Sequence, residues 1–347
     1  MMKILLLSPL PPPAGGIATW TEVYCRYLES SGHSVRLINT AVVGKRVSRQ
    51  GEKHMKDEIV RAAHIFSGMR KALAEEEYDC VHINTSCSKL GLLRDAVCMG
   101  MAKGQNVILH CHCNIEDQIG SNVLSKRLLF RVAKMANRVL VLNKKSYEYL
   151  RALGCDNVRI VPNFIEADAI AEEYTVRENI EKIIYVGHVR RTKGLFEILE
   201  AAGKLPETIF QIVGPVCEDL TGVSVPANVH MLGTKPKDEV LKLLGDADVF
   251  LFPSYTEGFS IALLEAMASG LPVIATDVGA NRDMIDEYGG IMIAKADPEA
   301  VVQAVGQLKM ADVRERMSAW NRNKVKSCYT TERVMTDLLH TVREDVQ

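Results

Sequence analysis

The chain reads as an α/β protein made of two doubly wound parallel sheets. Two observations predict this. Short apolar runs rich in Val, Ile and Leu alternate with longer amphipathic segments from end to end. Such alternation is the mark of parallel strands joined by crossover helices that cover both faces of a sheet. At 347 residues the chain is also long for a single hydrophobic core, so the pattern should divide into two domains.

In chain order, the first half predicts strands over 3–8, 35–39, 80–84, 107–111, 139–142 and 158–161, with helices over 17–30, 55–76 and 125–136. The second half predicts strands over 182–186, 209–213, 229–232, 249–252, 273–275 and 290–293, with helices over 195–202, 237–244 and 260–268. Pro162-Asn163-Phe164-Ile165-Glu166 follows the last strand of the first block and precedes an acidic, polar segment. The expected domains are therefore 1–165 and 166–327, with a helical tail over 328–347. Ligands of doubly wound sheets bind beyond the carboxyl ends of the strands, where strand order reverses.

Net charge is −1, but 23 basic and 14 acidic residues stand in 1–165 against 19 and 29 in the remainder. A basic first half points to an anionic partner, such as a membrane surface. No stretch approaches the roughly 20 apolar residues of a membrane span, and 1–10 reads as a buried strand rather than a signal peptide. Nine cysteines without paired spacing suit free thiols in a reducing cytoplasm. Two basic amphipathic stretches could rest peripherally on an anionic bilayer. One carries Lys126, Arg127, Arg131, Lys134 and Arg138, the other Lys45, Arg46, Arg49, Lys53 and Lys56. Basic residues here are not interleaved with aromatics, so nucleic acid is not an expected partner.

The segment from Glu257 to Glu265 carries the chemistry. A strand reaches Pro253-Ser254, a short loop holds Glu257, and Gly258, Phe259 and Ser260 are expected to open a helix. The first turn of a helix offers unpaired N–H groups and the positive end of the dipole, which attract phosphate. A mostly helical spacing would set the two carboxylates about 12 Å apart. One could then accept from a sugar and the other from a ribose, with a diphosphate between them. A nucleotide-sugar fits that layout.

Phe250-Leu251-Phe252-Pro253-Ser254, Glu257-Gly258-Phe259, the run from Glu265 to Thr276, and Gly279 closely resemble the signature of the retaining GT-B glycosyltransferases of family 4. The resemblance implies two Rossmann-like domains facing each other across a cleft, and a tail helix that crosses back to the first. It makes 1–165 the acceptor domain and 166–327 the donor domain. Pro162 to Glu166 resembles the family's Pro-Asn-Gly-Val-Asp linker, with Phe164 in place of the glycine.

Three further loops gain meaning from it. Gly15-Gly16 follows the first strand and lets backbone approach a ligand closely; in the family it lies against donor phosphates or the acceptor. Val186 to Gly194 resembles Gly-Arg-Leu-x-x-x-Lys-Gly, with His188 where arginine is usual. Lys193 would stabilise the departing diphosphate, and Arg190 or Arg191 would supply the missing arginine, His188 being a weaker, pH-dependent cation. His110-Cys111-His112-Cys113 contains four residues of metal-ligating type, but strand alternation lets no more than two converge. His112 matches the family's active-site histidine, expected to donate to a sugar hydroxyl or to developing charge, with His110 as competitor. Asp246-Ala247-Asp248 is expected to cap a helix rather than hold a metal.

The implied reaction moves a sugar from a nucleoside-diphosphate donor, UDP-sugar first, to a saccharide or lipid-linked acceptor of envelope polysaccharide, with no cofactor and no metal. Glu265 would bind the ribose, the Gly258–Ser260 amides and Lys193 the diphosphate, and Glu257 the donor sugar, in a front-face substitution. A UDP-sugar 2-epimerase and a non-catalytic nucleotide-sugar-binding module are the rival readings.

Overall fold

The computed structural model describes residues 1–12, 15–41, 55–217, 220 and 222–344. Lys45, Arg46, Arg49 and Lys53 of the second basic stretch lie outside them. The chain forms two units, one of Met1–Pro162 with the segment from Met335 onward, the other of Asn163–Val334.

The first unit runs β1 (Lys3–Ser8), α1 (Gly16–Ser30), β2 (Ser34–Asn39), α2 (Met55–Glu75), β3 (Cys80–Thr85), α3 (Lys89–Met101), β4 (Val107–Cys111), α4 (Ile115–Ile119), α5 (Val123–Met135), β5 (Arg138–Val141), α6 (Lys144–Ala152) and β6 (Val158–Ile160). Its strands form one parallel sheet in the order β2-β1-β3-β4-β5-β6. The order reverses between β1 and β3. Alternation along the strands separates two cores. Leu5, Leu7, Val81, Ile83, Leu109 and Cys111 share one hydrophobic cluster, so Ser8, Asn84 and His110 belong to the opposite face, where α1 brings Trp20 and Tyr24 against His82 and His110.

The second unit runs β7 (Lys182–Val186), α7 (Leu195–Lys204), β8 (Ile209–Val213), β9 (Val229–Gly233), α8 (Lys237–Gly245), β10 (Val249–Phe252), α9 (Ile261–Ala268), β11 (Val273–Thr276), α10 (Asn281–Ile285), β12 (Gly290–Ile293), α11 (Pro298–Gln307) and α12 (Ala311–Cys328). Its parallel order is β12-β11-β10-β7-β8-β9. The reversal lies between β7 and β10, whose following loops are those of 187–194 and 253–260. The last helix, α13 (Thr331–Glu344), starts in the second unit and continues in the first, where Thr341 Oγ1 accepts from Arg159 at 2.7 Å.

Candidate functional site

The switch point of the second unit brings two predicted loops into contact. After β7, Gly187 leads to a single helical turn over Arg191–Lys193 that ends in Gly194. Gly194 has φ +78, and a Cβ there would lie 2.3 Å from the Pro253 carbonyl oxygen. Only glycine lets this loop pack onto the end of β10. Tyr255 N then donates to Thr192 O at 3.0 Å, and Tyr255 hydroxyl donates to Glu197 Oε1 at 2.6 Å. Gly279, at φ +51, makes a second close approach: a Cβ there would sit 2.2 Å from the Glu257 carbonyl.

These constraints set Lys193 beside Glu257. Lys193 Nζ donates to Glu257 Oε1 at 2.5 Å, with side-chain exposures of 17% and 10%. At that depth the pair is worth more than a solvated surface pair, and removing one member strands the other charge. His188 and Arg190 are exposed on the same loop. Partial burial, then Arg190 and Lys193, push the His188 imidazole below its ordinary value, with Glu257 opposing. A cationic His188 is therefore disfavoured, first by partial burial and then by the two fixed cations close to it. Arg191 lies over the Phe196 ring at 4.6 Å. Arg190 acts electrostatically on both His188 and Tyr185, and Arg191 on Tyr255.

Helix α9 starts later than the sequence suggested. Ser260 is its N-cap, its Oγ accepting from Leu263 N at 3.2 Å. Gly258, Phe259 and Ser260 therefore precede the helix instead of forming its first turn, because Ser at this position caps better than it propagates. Gly258 O accepts from Ala280 N at 3.0 Å, and Phe259 O accepts from Asn163 Nδ2 at 3.2 Å. Only part of the span from Glu257 to Glu265 is helical, so the helical estimate of their separation does not carry over. Glu265 lies on the first turns of α9. Burial raises its carboxyl above the usual range, with Lys237 opposing. A carboxylate so placed gains from hydroxyl donors.

Asp246 and Asp248 are committed elsewhere. Asp246 is the C-cap of α8 and bonds Arg177 at 2.7 Å and Lys182 at 2.5 Å. Asp248 accepts from Arg177 at 2.8 Å and from the amides of Glu181 and Lys182 at 2.9 Å each.

In the first unit, His112 follows β4 and is half-buried. Its Nε2 lies 3.1 Å from Asn84 Oδ1, and its ring meets Trp20 edge-on at 5.0 Å and His110 at 4.1 Å. His110 is fully buried between Trp20 and His82, and among the described residues neither of its ring nitrogens has a hydrogen-bond partner. That makes His110 the core histidine and His112 the accessible one. Burial, with His82 adding, pushes the His112 imidazole down to about 3. Cys111 belongs to the opposite core. Among the described residues, no three His, Cys, Asp or Glu side chains are grouped so as to hold a metal ion.

Gly15 and Gly16 depart from one premise. Gly15 is extended at φ −178 and caps α1, and Gly16 is its first residue. A Cβ at either would meet nothing within 4 Å. Neither glycine is required by backbone strain, and the space beside them is open.

Two other surfaces of this unit stand out. Helix α5 turns Leu129, Val132 and Ala133 inward, yet exposes Val123, Leu124 and Phe130 beside Arg127, Arg131 and Lys134. A groove of about 510 Å³ is lined by Ile59, Leu90, Leu93 and Val97, with Arg61 and Arg94.

Asn84, Asn163 and Tyr185 were not among the sequence-predicted site residues. Asn84 sits on a strand and Asn163 at the end of a linker, where spacing gives no signal. Only the fold shows what they hold.

Two doubly wound parallel sheets, with a cation and a carboxylate at one switch point and a histidine beyond a strand of the other, define an α/β protein of two Rossmann-like units. The family described as "Glycosyl transferases group 1" matches residues 166–326, and "Glycosyltransferase Family 4" matches residues 14–169. Between them they cover most of the chain, which belongs to family 4 of the GT-B glycosyltransferases, enzymes of the sugar-transferring class. The chain is 26% identical over 285 residues to the UDP-Gal:alpha-D-GlcNAc-diphosphoundecaprenol alpha-1,3-galactosyltransferase of Escherichia coli, covering 74% of this chain and 72% of that one. It is 22% identical to the N-acetyl-alpha-D-glucosaminyl L-malate synthase of Bacillus anthracis, covering 96% and 95%. The match to TuaC of Bacillus subtilis, at 27% identity, takes 60% of this chain but only 54% of that protein. Among solved structures, the sucrose-phosphate synthase of Thermosynechococcus elongatus superposes with a TM-score of 0.81 at 17% identity, over 99% of both chains. HepE of Anabaena, in complex with UDP and glucose, gives 0.74 at 14% identity, over 99% of this chain and 100% of that one. These structural likenesses establish the fold.

Proposed function

We propose that the protein is a retaining glycosyltransferase that moves a sugar from a UDP-sugar to a saccharide or lipid-linked acceptor in envelope polysaccharide assembly. The observation that carries this is the half-buried Lys193–Glu257 pair at the β7/β10 switch point, with Glu265 a few residues further on. Lys193, supported by Arg190, would offset the charge that grows on the β-phosphate as the sugar–oxygen bond breaks. Amides of Gly258–Ser260 would take further phosphate oxygens. Glu265 would accept hydrogen bonds from the ribose hydroxyls, and Glu257 would hold the donor sugar. Gly15 and Gly16 leave room for donor phosphate or acceptor, and His112 serves a sugar hydroxyl.

With no carboxylate assigned as a nucleophile, the departing phosphate would take the acceptor proton on the face it leaves, and configuration would be retained. A UDP-sugar is favoured because HepE was solved with UDP and the E. coli relative is named for a UDP-galactose donor. That relative is also named for a diphosphoundecaprenol acceptor. The apolar groove under Leu90 and Leu93 and the exposed apolar and basic residues of α5 support a lipid-linked acceptor met at a membrane surface.

The test is a thermal-shift panel of UDP, GDP, ADP, NAD and UDP-sugars in EDTA, on wild type and Glu265→Ala. Stabilisation by UDP that is lost in the variant supports the reading. Stabilisation by NAD, or by nothing unless a metal is added, overturns it. Release of UDP without any acceptor would instead indicate an epimerase, and binding without turnover a non-catalytic module.

A further inference from the structure

We propose that Asn84 fixes the tautomer of His112 through a one-way hydrogen-bond chain anchored on the Ile17 carbonyl, so that His112 offers Nδ1 as an acceptor to a substrate hydroxyl. The chain is short and its direction is forced. Ile17 O is a carbonyl and can only accept, so Thr21 hydroxyl donates to it, at 2.7 Å. With that proton committed, Thr21 Oγ1 accepts from Ser8 hydroxyl, 2.5 Å away. Ser8 Oγ then accepts from Asn84 Nδ2 at 2.8 Å. The Asn84 amide cannot flip without setting its oxygen against the Ser8 oxygen. Its Oδ1 therefore faces His112 Nε2 at 3.1 Å, and a carbonyl oxygen demands a proton there. Ser8, Thr21 and Asn84 are all buried, so water does not relax the order.

A neutral imidazole carries one proton. With it on Nε2, Nδ1 holds a lone pair, and the ring accepts from a hydroxyl instead of donating to one. This reverses the donor role expected from the sequence. The ring is held neutral by its surroundings. The titratable groups around it are His110 on β4, His82 on β3 and Tyr24 on α1, which packs against His82; all three are fully buried. Burial pushes His112 down to about 3. Asn84 is thus a positioning residue: it touches the imidazole, and the imidazole meets the ligand. A sugar whose corresponding hydroxyl is absent or methylated would lose this contact, so the arrangement also selects for a free hydroxyl.

The inference rests on the transferase reading for its substrate, but its first test does not. Long-range proton–nitrogen spectra of the full chain, labelled with ¹⁵N-histidine, report each ring's tautomer, and a His112→Gln variant assigns the signal. The expected result is His112 in the Nε2–H form throughout about pH 5 to 8. A doubly protonated ring near neutrality, or the Nδ1–H form, overturns the proposal whatever the enzyme does.

The second test uses Asn84→Ala and Asn84→Asp. The alanine variant removes the acceptor; the aspartate keeps one toward Nε2 and raises the imidazole pKa, while its second oxygen must draw the Ser8 hydroxyl proton away from Thr21. Loss of the partner that orients a metal-bound histidine costs about 10–100-fold, and a loss at the lower end of that range is expected here. Asn84→Ala should therefore lower kcat by about that factor with donor KM within about twofold. Asn84→Asp should keep the Nε2–H tautomer and recover part of kcat. If both variants keep wild-type kcat, or if the alanine variant keeps the tautomer, Asn84 is merely structural and the proposal falls. If the tautomer is as expected but no donor is turned over, the transferase reading fails and the tautomer assignment stands.

Discussion

Glu265 and Glu257 share one loop–helix segment and are expected to fail in different ways. Glu265 is held in a site that raises its carboxyl, and in the proposed reading it would accept from ribose hydroxyls. Glu265→Ala should weaken UDP binding by about tenfold or more, since loss of hydrogen bonds to a charged acceptor costs about 1.5–3 kcal/mol; calorimetric titration checks this. Glu257→Gln keeps the shape but removes the charge that meets Lys193. It should lower kcat by about 10²-fold or more while UDP affinity changes little, the pattern of a group needed in the transition state. Equal losses in both constants would move Glu257 out of the reacting centre. Both glutamates were legible in the sequence because a loop, a cap and a helix follow one another within a dozen residues. Asn84 was not, since its role depends on Ser8 and Thr21, 76 and 63 residues away in the chain. His188 was legible as a position, but its lowered imidazole was not, because that rests on partial burial and on Arg190 and Lys193 in space.

Among the elements, every sheet strand was anticipated to within a residue or so, because each is a short, mostly apolar run between turn residues, and inner strands such as β3, β4, β10 and β11 are buried on both faces. Several helices were not. Helix α12 buries Arg314, Ser318, Asn321 and Val325, a helical stripe that is mostly polar and gives no hydrophobic period. Its Asn321 instead donates to the carbonyls of Leu271 and Gly289 at 2.8 Å each. Helix α5 invites a direct test. It should bring the protein down with anionic vesicles and not with neutral ones, and a Leu124→Glu, Arg131→Glu double variant should lose most of that binding without a change in stability. Helix α1 offers another. Alanine at Gly16 meets no atom in the fold and is the better helix former by about 0.5–1 kcal/mol. Gly16→Ala should therefore keep or slightly raise Tm while weakening substrate binding. A variant with unchanged kinetics would show that the space beside the glycine is unused.

On the scale of the whole molecule, the histidine cluster makes stability depend on pH. Burial pushes His82 down to about 3 and His110 well below its ordinary 6.5. On unfolding each would return toward 6.5, so below that pH the unfolded chain binds more protons. Stability is full above about pH 6.5 and falls as pH drops toward 3, by up to about 1.4 kcal/mol per pH unit for each buried ring. Tm measured from about pH 7.5 to 5.5 should decline, and His82→Gln should make the slope shallower.

The chain crosses between its units twice, at Pro162 and again within α13. Met335, Leu338, Leu339 and Val342 of that helix are buried. The sequence by itself determined the two parallel sheets, the order of their strands along the chain, the loops that carry Lys193, Glu257 and His112, and the helix that carries Glu265. Those follow from hydrophobic period, glycine and capping residues, which act over a few positions. Only the tertiary structure decided that Lys193 pairs with Glu257, that Asp248 bonds to Arg177, and which nitrogen of His112 bears the proton. Hydrogen-bond direction and charge pairing join residues far apart in sequence, and no local pattern encodes them.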